Sequence, residues 1–84
     1  MSGGQGKDER LFQELRALRK DIAQREGVPP FVVFGDATLT EMASHRPKDA
    51  EQLLRISGVG QHKLGKYGAE FLRVIAGFVQ LPED

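Results

Sequence analysis

Leu53-Leu54-Arg55-Ile56-Ser57-Gly58-Val59-Gly60-Gln61-His62-Lys63-Leu64-Gly65-Lys66-Tyr67 reads as two short helices joined by a tight glycine turn. Ser57-Gly58-Val59-Gly60 permits a turn that a Cβ at every position would forbid, and Val59 between the glycines can plug a core. Leu53, Leu54 and Ile56 before the turn, and Leu64 and Tyr67 after it, supply the apolar faces. A tight turn that opens a helix leaves amides unpaired at the positive end of the helix dipole, which suits a phosphate oxygen. Gly58 and Gly60 let backbone approach closely, and Lys63 and Lys66, three apart in the following helix, would add charge to the same track. A plainer reading stands equally beside this one: the glycines serve helix packing and the lysines are solvated surface.

Working upstream, Asp49-Ala50-Glu51-Gln52 has the form of a capping box and starts the helix before the turn, after the break at Pro47. Leu39, Met42 and Ala43 at helical spacing follow Gly35-Asp36, a turn and N-cap. Phe31-Val32-Val33-Phe34 is β-prone but has no partner strand, so it is expected to form a tight extended or single-turn connection. Four consecutive apolar residues cannot all point inward from such a connection, so at least one should be exposed. Leu11, Leu15, Leu18 and Ile22, with Phe12 beside them, form the stripe of a first helix that ends near Glu26. Gly27 supplies its left-handed cap, and Pro29-Pro30 stop it.

Downstream, Gly68 marks a boundary or a close helix approach. Phe71, Leu72, Ile75, Phe78 and Val79 then make a last helix that stops before Pro82. Residues 1–6, glycine-rich with nothing to bury, are expected to be a disordered leader or expression remnant. The expected fold is all-α: one compact five-helix bundle over residues 7–81 with a helix-hairpin-helix-like glycine turn, and a tail at 82–84.

Eighty-four residues suffice for one modest core and not for two. With no cysteine, disulfides and thiolate zinc sites are excluded. No apolar run reaches the roughly 18 residues that span a bilayer, so a soluble intracellular protein with no membrane contact is expected. Twelve basic and twelve acidic side chains cancel, which counts against strong attraction to polyanions. The stretch from His45 to Arg73 is nevertheless mildly basic. His45 and His62 lie far apart in sequence without carboxylates or cysteines at ligand spacing, so no metal or other cofactor is expected. Ser44 and His45 are chain neighbours, the wrong relation for a nucleophile and its base. Neither a phosphate loop nor a complete dinucleotide fingerprint is present, and no catalytic residue is assigned.

Pro29-Pro30-Phe31-Val32-Val33-Phe34-Gly35-Asp36-Ala37-Thr38-Leu39, Leu54-x-Ile56-x-Gly58-Val59-Gly60-x-x-Lys63-Leu64-x-Lys66-Tyr67-Gly68 and Phe71-Leu72 together resemble the HRDC domain, named for helicases and RNase D. The likeness runs from about Leu11 to Val79, and the Pro-Pro-aromatic-Val-Val-Phe run resembles the RecQ helicase branch. The resemblance implies a five-helix, SAM-domain-like accessory domain of a larger ATP-dependent DNA helicase. Its motor is not in this chain. It also implies weak binding of single-stranded or partially duplex DNA, through an aromatic at Phe31 and basic residues around it. Other members act mainly by docking on their own helicase core or on proteins.

From the residues alone, burial of Phe31 is favoured, since large aromatics are usually buried; the resemblance reverses this toward exposure. The candidate nucleic-acid-binding residues are therefore Phe31, Lys63, Lys66, Gly58, Gly60 and Arg25. The remaining basic residues of the first helix, Arg16, Arg19 and Lys20, are expected on a solvated face among Glu14, Asp21 and Glu26. Tyr67 is expected to be structural, its hydroxyl at the rim. Three functions compete: a weak DNA-binding module that modulates substrate choice, a regulatory module docked on the helicase core, and a non-specific duplex-binding helix-hairpin-helix. A monomer in the cytoplasm, associated with the nucleoid, is expected.

Overall fold

A computed structural model of the chain describes residues 3–80, and side chains within that range from Asp8 to Val79. Five helices follow one another: α1 Gly3–Glu26, α2 Pro30–Val33, α3 Asp36–His45, α4 Ala50–Leu54 and α5 Gln61–Gln80. The all-α architecture of five helices is thus as expected, but the five are divided differently. The Pro-Pro connection is itself a one-turn helix, and the two helices expected after the glycine turn are one continuous α5. Gly68 is no boundary: it lies within α5, where a Cβ would come 2.8 Å from Leu64 Cδ1 one turn earlier in the same helix and would make ordinary contact, at 3.6 Å, with Leu53 Cδ2 of α4. α1 begins at Gly3, within the stretch expected as a leader, because each residue added to a formed helix gains a backbone bond without a new nucleation cost. Residues 1, 2 and 81–84, including the expected tail and stop at Pro82, lie outside the described residues.

The helix ends follow from local chemistry. Gly27 has φ +70° and closes α1, where the Val28 N–H donates to the Ala23 carbonyl at 3.0 Å. Asp49 Oδ1 accepts from the Gln52 N–H at 2.9 Å, and Gln52 Oε1 reaches back to accept from the Lys48 N–H at 2.9 Å, so the capping box forms. Arg46 closes α3 in the left-handed region at φ 51°, its N–H donating to the Met42 carbonyl. The Arg46 guanidinium meets Asp8 at 3.1 Å, tying the end of α3 to the start of α1.

The long helices α1 and α5 pack on one another, with α2 and α3 against α1 and α4 against α5. Leu11, Leu15 and Ile22 from α1 meet Val33, Phe34, Leu39, Met42, Leu53, Phe71 and Ile75, all essentially without solvent contact. Val59 joins this core from between the glycines. At its centre Phe34 presents edge-to-face contacts to Tyr67 and Phe71, with centroids 5.9 and 5.0 Å apart.

Arg19 departs from its expected place on a solvated face. It is buried, and its Nη1 donates to the Phe34 carbonyl at 3.0 Å and to Asp36 Oδ1 at 2.8 Å. One side chain of α1 thereby satisfies the chain between α2 and α3, where the backbone leaves helical geometry at Phe34 and Gly35.

Candidate nucleic-acid interface

The turn Pro30–Val33 and the Phe34 that caps it hold two aromatics in opposite environments. Val33 and Phe34 are fully buried, whereas Phe31 is 70% exposed and Val32 40% exposed. Pro29 and Pro30 preset the backbone dihedral of the turn, and the Val32 N–H donates to the Pro29 carbonyl at 3.0 Å. An open ring thus stands on a short, anchored turn.

Lys63 lies on the first turn of α5 with its Nζ 5.7 Å from the centroid of Phe34, three residues on from Phe31. This contact brings the positively charged start of α5 beside the α2 turn. Among the described residues Lys63 has no carboxylate partner.

Arg25 and Lys66 are placed differently. Arg25 Nη2 pairs with Glu70 Oε2 at 2.9 Å and its Nε with Asp21 Oδ2 at 3.3 Å. Lys66 Nζ lies 3.4 Å from Glu26 Oε1, and that oxygen also accepts from the Tyr67 hydroxyl at 2.8 Å. These contacts link the last turn of α1 to the second and third turns of α5. Of these partners, Asp21 stands four residues before Arg25 and was visible at helical spacing; Glu70, 45 residues away, carried no signal in sequence. The Tyr67 ring is buried with its hydroxyl held at the rim.

The charges respond to this network. The hydrogen bond from Tyr67, with Lys66 adding attraction, holds the Glu26 carboxyl below its ordinary range. Attraction to Glu26 raises the Lys66 ammonium, and the hydrogen bond to Glu26 raises the Tyr67 phenol, helped by burial. Arg25 is raised by its hydrogen bond to Glu70. A carboxyl lowered in the folded state contributes stability that is present above its unfolded pKa and is lost as pH falls through the folded value. Glu26→Gln is therefore expected to lower the melting temperature at pH 7, with the difference from the parent shrinking as pH falls through the lowered pKa of folded Glu26. Thermal melts across that range check it.

The two glycines of the turn have different roles. Gly58 has φ +92°, and a Cβ there would collide with Thr38 Oγ1, whose hydroxyl donates to the Ser57 carbonyl at 2.9 Å. Glu41 on α3 holds the adjacent Ser57 N–H at 3.1 Å. The turn is thus clasped by α3, which accounts for Gly58 through packing. Gly60 meets nothing within 4 Å, and its carbonyl accepts from the Leu64 N–H to open α5. Thr38, Glu41 and Arg19 are the structural partners that sequence reasoning missed. Arg19 alone had a signal, since it falls between Leu15 and Ile22 at steps of four and three on the apolar stripe.

Among the described residues no group of three or more His, Cys, Asp or Glu side chains could hold a metal ion, and no helix is long and apolar enough to cross a membrane.

The family profile described as HRDC domain matches residues 8–75. The chain is 46% identical over 76 residues to the ATP-dependent DNA helicase RecQ of Bacillus subtilis and 48% identical over 68 residues to that of Haemophilus influenzae. These matches cover 90% and 81% of this chain but only 13% and 11% of the respective relatives. Among solved structures, D. radiodurans RecQ HRDC domain 3 superimposes with a TM-score of 0.85 at 30% identity, covering 88% of this chain and 97% of that one. The chain belongs to the HRDC domain family and is a non-catalytic accessory domain.

Proposed function

We propose that this domain binds single-stranded or partially duplex DNA weakly, on behalf of a RecQ-like ATP-dependent helicase in the same chain, and so biases which substrates that motor engages. The observation that carries this reading is the 70% exposure of Phe31 on a turn whose neighbouring aromatic, Phe34, lies against Lys63. An open ring offers a face on which any base can stack, worth about 1–3 kcal/mol. Lys63 and the amides that open α5 from Gly60 would meet the phosphate beside it. Lys66 and Arg25 extend the basic track along α1 and α5. Gly58 contributes by shaping the turn. The site of action would be the cytoplasmic nucleoid.

Titration of labelled oligothymidine at low salt tests the assignment. Phe31→Ala should weaken binding by about 5- to 100-fold, the worth of one stacked base, while leaving the melting temperature nearly unchanged because the ring is exposed. Lys63→Ala/Lys66→Ala should weaken binding and flatten its salt dependence by about 0.7 per lost contact. Unchanged binding in both variants would remove the site.

A second reading has its own support. Phe31 and Val32 make an exposed apolar pair, and Arg25 and Lys66 already have carboxylate partners, which suits docking on the helicase core. No oligothymidine binding, together with altered helicase activity when the domain is deleted, would favour it. Preference for duplex over single strand would point instead to backbone contacts by the glycine turn.

A further inference from the structure

The two ion pairs between α1 and α5 share an asymmetry. In each, the cation is the more open partner: the Arg25 side chain is 54% exposed against 35% for Glu70, and Lys66 48% against 31% for Glu26. The carboxylates are the less exposed partners, and Glu26 is held in place by the Tyr67 hydroxyl. A phosphate approaching from solvent would therefore meet the Lys66 ammonium with Glu26 as its less exposed partner, and the Arg25 guanidinium with Glu70 as its less exposed partner and the open carboxylate of Asp21 at its side. Glu70 makes, at 2.9 Å, the charge-assisted contact that a phosphate oxygen would make with Arg25.

We propose that Glu26 and Glu70 act as built-in competitors of phosphate, setting the affinity and ionic-strength response of the DNA-binding face by holding Lys66 and Arg25. This inference rests on the nucleic-acid reading and deepens it. Exposed ion pairs are weak, because water screens both charges, so a phosphate can displace or share them without unfolding anything. It nevertheless gives up, at each of these two cations, part of the attraction that an uncommitted lysine or arginine would provide. Lys63, which has no carboxylate partner among the described residues, is left as the cation that engages at full strength. The arrangement yields a surface that holds DNA loosely and releases it readily, a property suited to a module that must follow a moving motor.

Replacing either carboxylate by its amide tests the device while keeping side-chain size and, at position 26, an oxygen to accept from Tyr67. Glu26→Gln and Glu70→Gln should each tighten oligothymidine binding about two- to fivefold, the worth of one exposed ion pair. Each should also steepen the salt dependence, by less than the about 0.7 of a whole added contact, as a cation that shares its charge with a carboxylate is released toward phosphate. The control is Glu9→Gln, which removes the same charge from α1 about 24 Å from Arg25 at 1.5 Å per residue. At about 0.1 M salt, where charges are screened within about 10 Å, it should change nothing. Circular dichroism melts confirm that each variant is folded under the conditions of the titration. Gains in Glu26→Gln and Glu70→Gln absent from Glu9→Gln support the proposal. Equal gains in all three, or parental binding in the two test variants, overturn it while the nucleic-acid reading stands on Phe31→Ala. Absence of binding by the parent and every variant removes both.

Discussion

Phe34→Ala will cost about 3–5 kcal/mol of folding stability, the range for truncating a fully buried aromatic. Phe34 has no solvent contact, and the substitution removes both edge-to-face contacts, to Tyr67 and Phe71, along with the ring beneath Lys63. At roughly 0.05–0.15 kcal/mol per residue a domain of this size has only about 4–13 kcal/mol in hand, so the substitution removes a large fraction of that margin. Urea denaturation measures the loss as a lower midpoint. Phe34→Leu, which keeps most of the volume and forfeits the aromatic geometry, should cost much less. Equal losses in the two variants would show that the aromatic contacts, rather than filled volume, dominate at the centre of the core.

Gly58→Ala will be the next most damaging change, at about 1.5–3.5 kcal/mol. Two causes add. A side chain at φ +92° strains the backbone by about 1–2 kcal/mol, and the new Cβ displaces the Thr38 hydroxyl, whose hydrogen bond to the Ser57 carbonyl is worth about 0.5–1.5 kcal/mol. The two causes separate in a double-mutant cycle with Thr38→Ala. In that background the hydroxyl is already gone, so Gly58→Ala should cost only the backbone strain. Gly60→Ala, which meets open space, is the matched control and should be mild. If the two glycine variants are equally damaging, the clasp between α3 and the turn is not what demands glycine at position 58.

Much of this fold is legible in the sequence because it is written in local chemistry. The cap at Gly27, the reciprocal bonds of Asp49 and Gln52, and the glycine turn with Val59 inward are short-range features, and the structure has each of them. The failures have a common origin in contacts between distant segments. A glycine within a helical pattern announces its cost, about 1 kcal/mol against alanine, but not the neighbour that repays it. At Gly68 the tight neighbour is the Leu64 side chain one turn earlier, whose placement against the core the local pattern does not show, so the glycine reads as a break in what is one helix. Arg19 shows the opposite bias: its spacing placed it on the apolar stripe, but its charge argued for solvent. The Phe34 carbonyl that draws it inward is 15 residues away. The candidate site divides along the same line. Exposure within Phe31–Phe34 followed from crowding on a short turn, whereas the pairing of Arg25 with Glu70 and of Lys66 with Glu26 depends on how α1 lies on α5.

The α2 turn bears on how a ligand would be received. Two prolines lead into it, and Val33 and Phe34 are locked in the core behind it, so the backbone carrying Phe31 has little freedom left to surrender. Stacking on that ring would immobilise one side chain with two rotatable bonds, at a cost of about 0.5–1.5 kcal/mol, rather than a loop. The entropy of ordering the contact has been spent in advance, during folding. A ligand stacking on Phe31 would thus keep more of the contact's worth than one that had to order a loop.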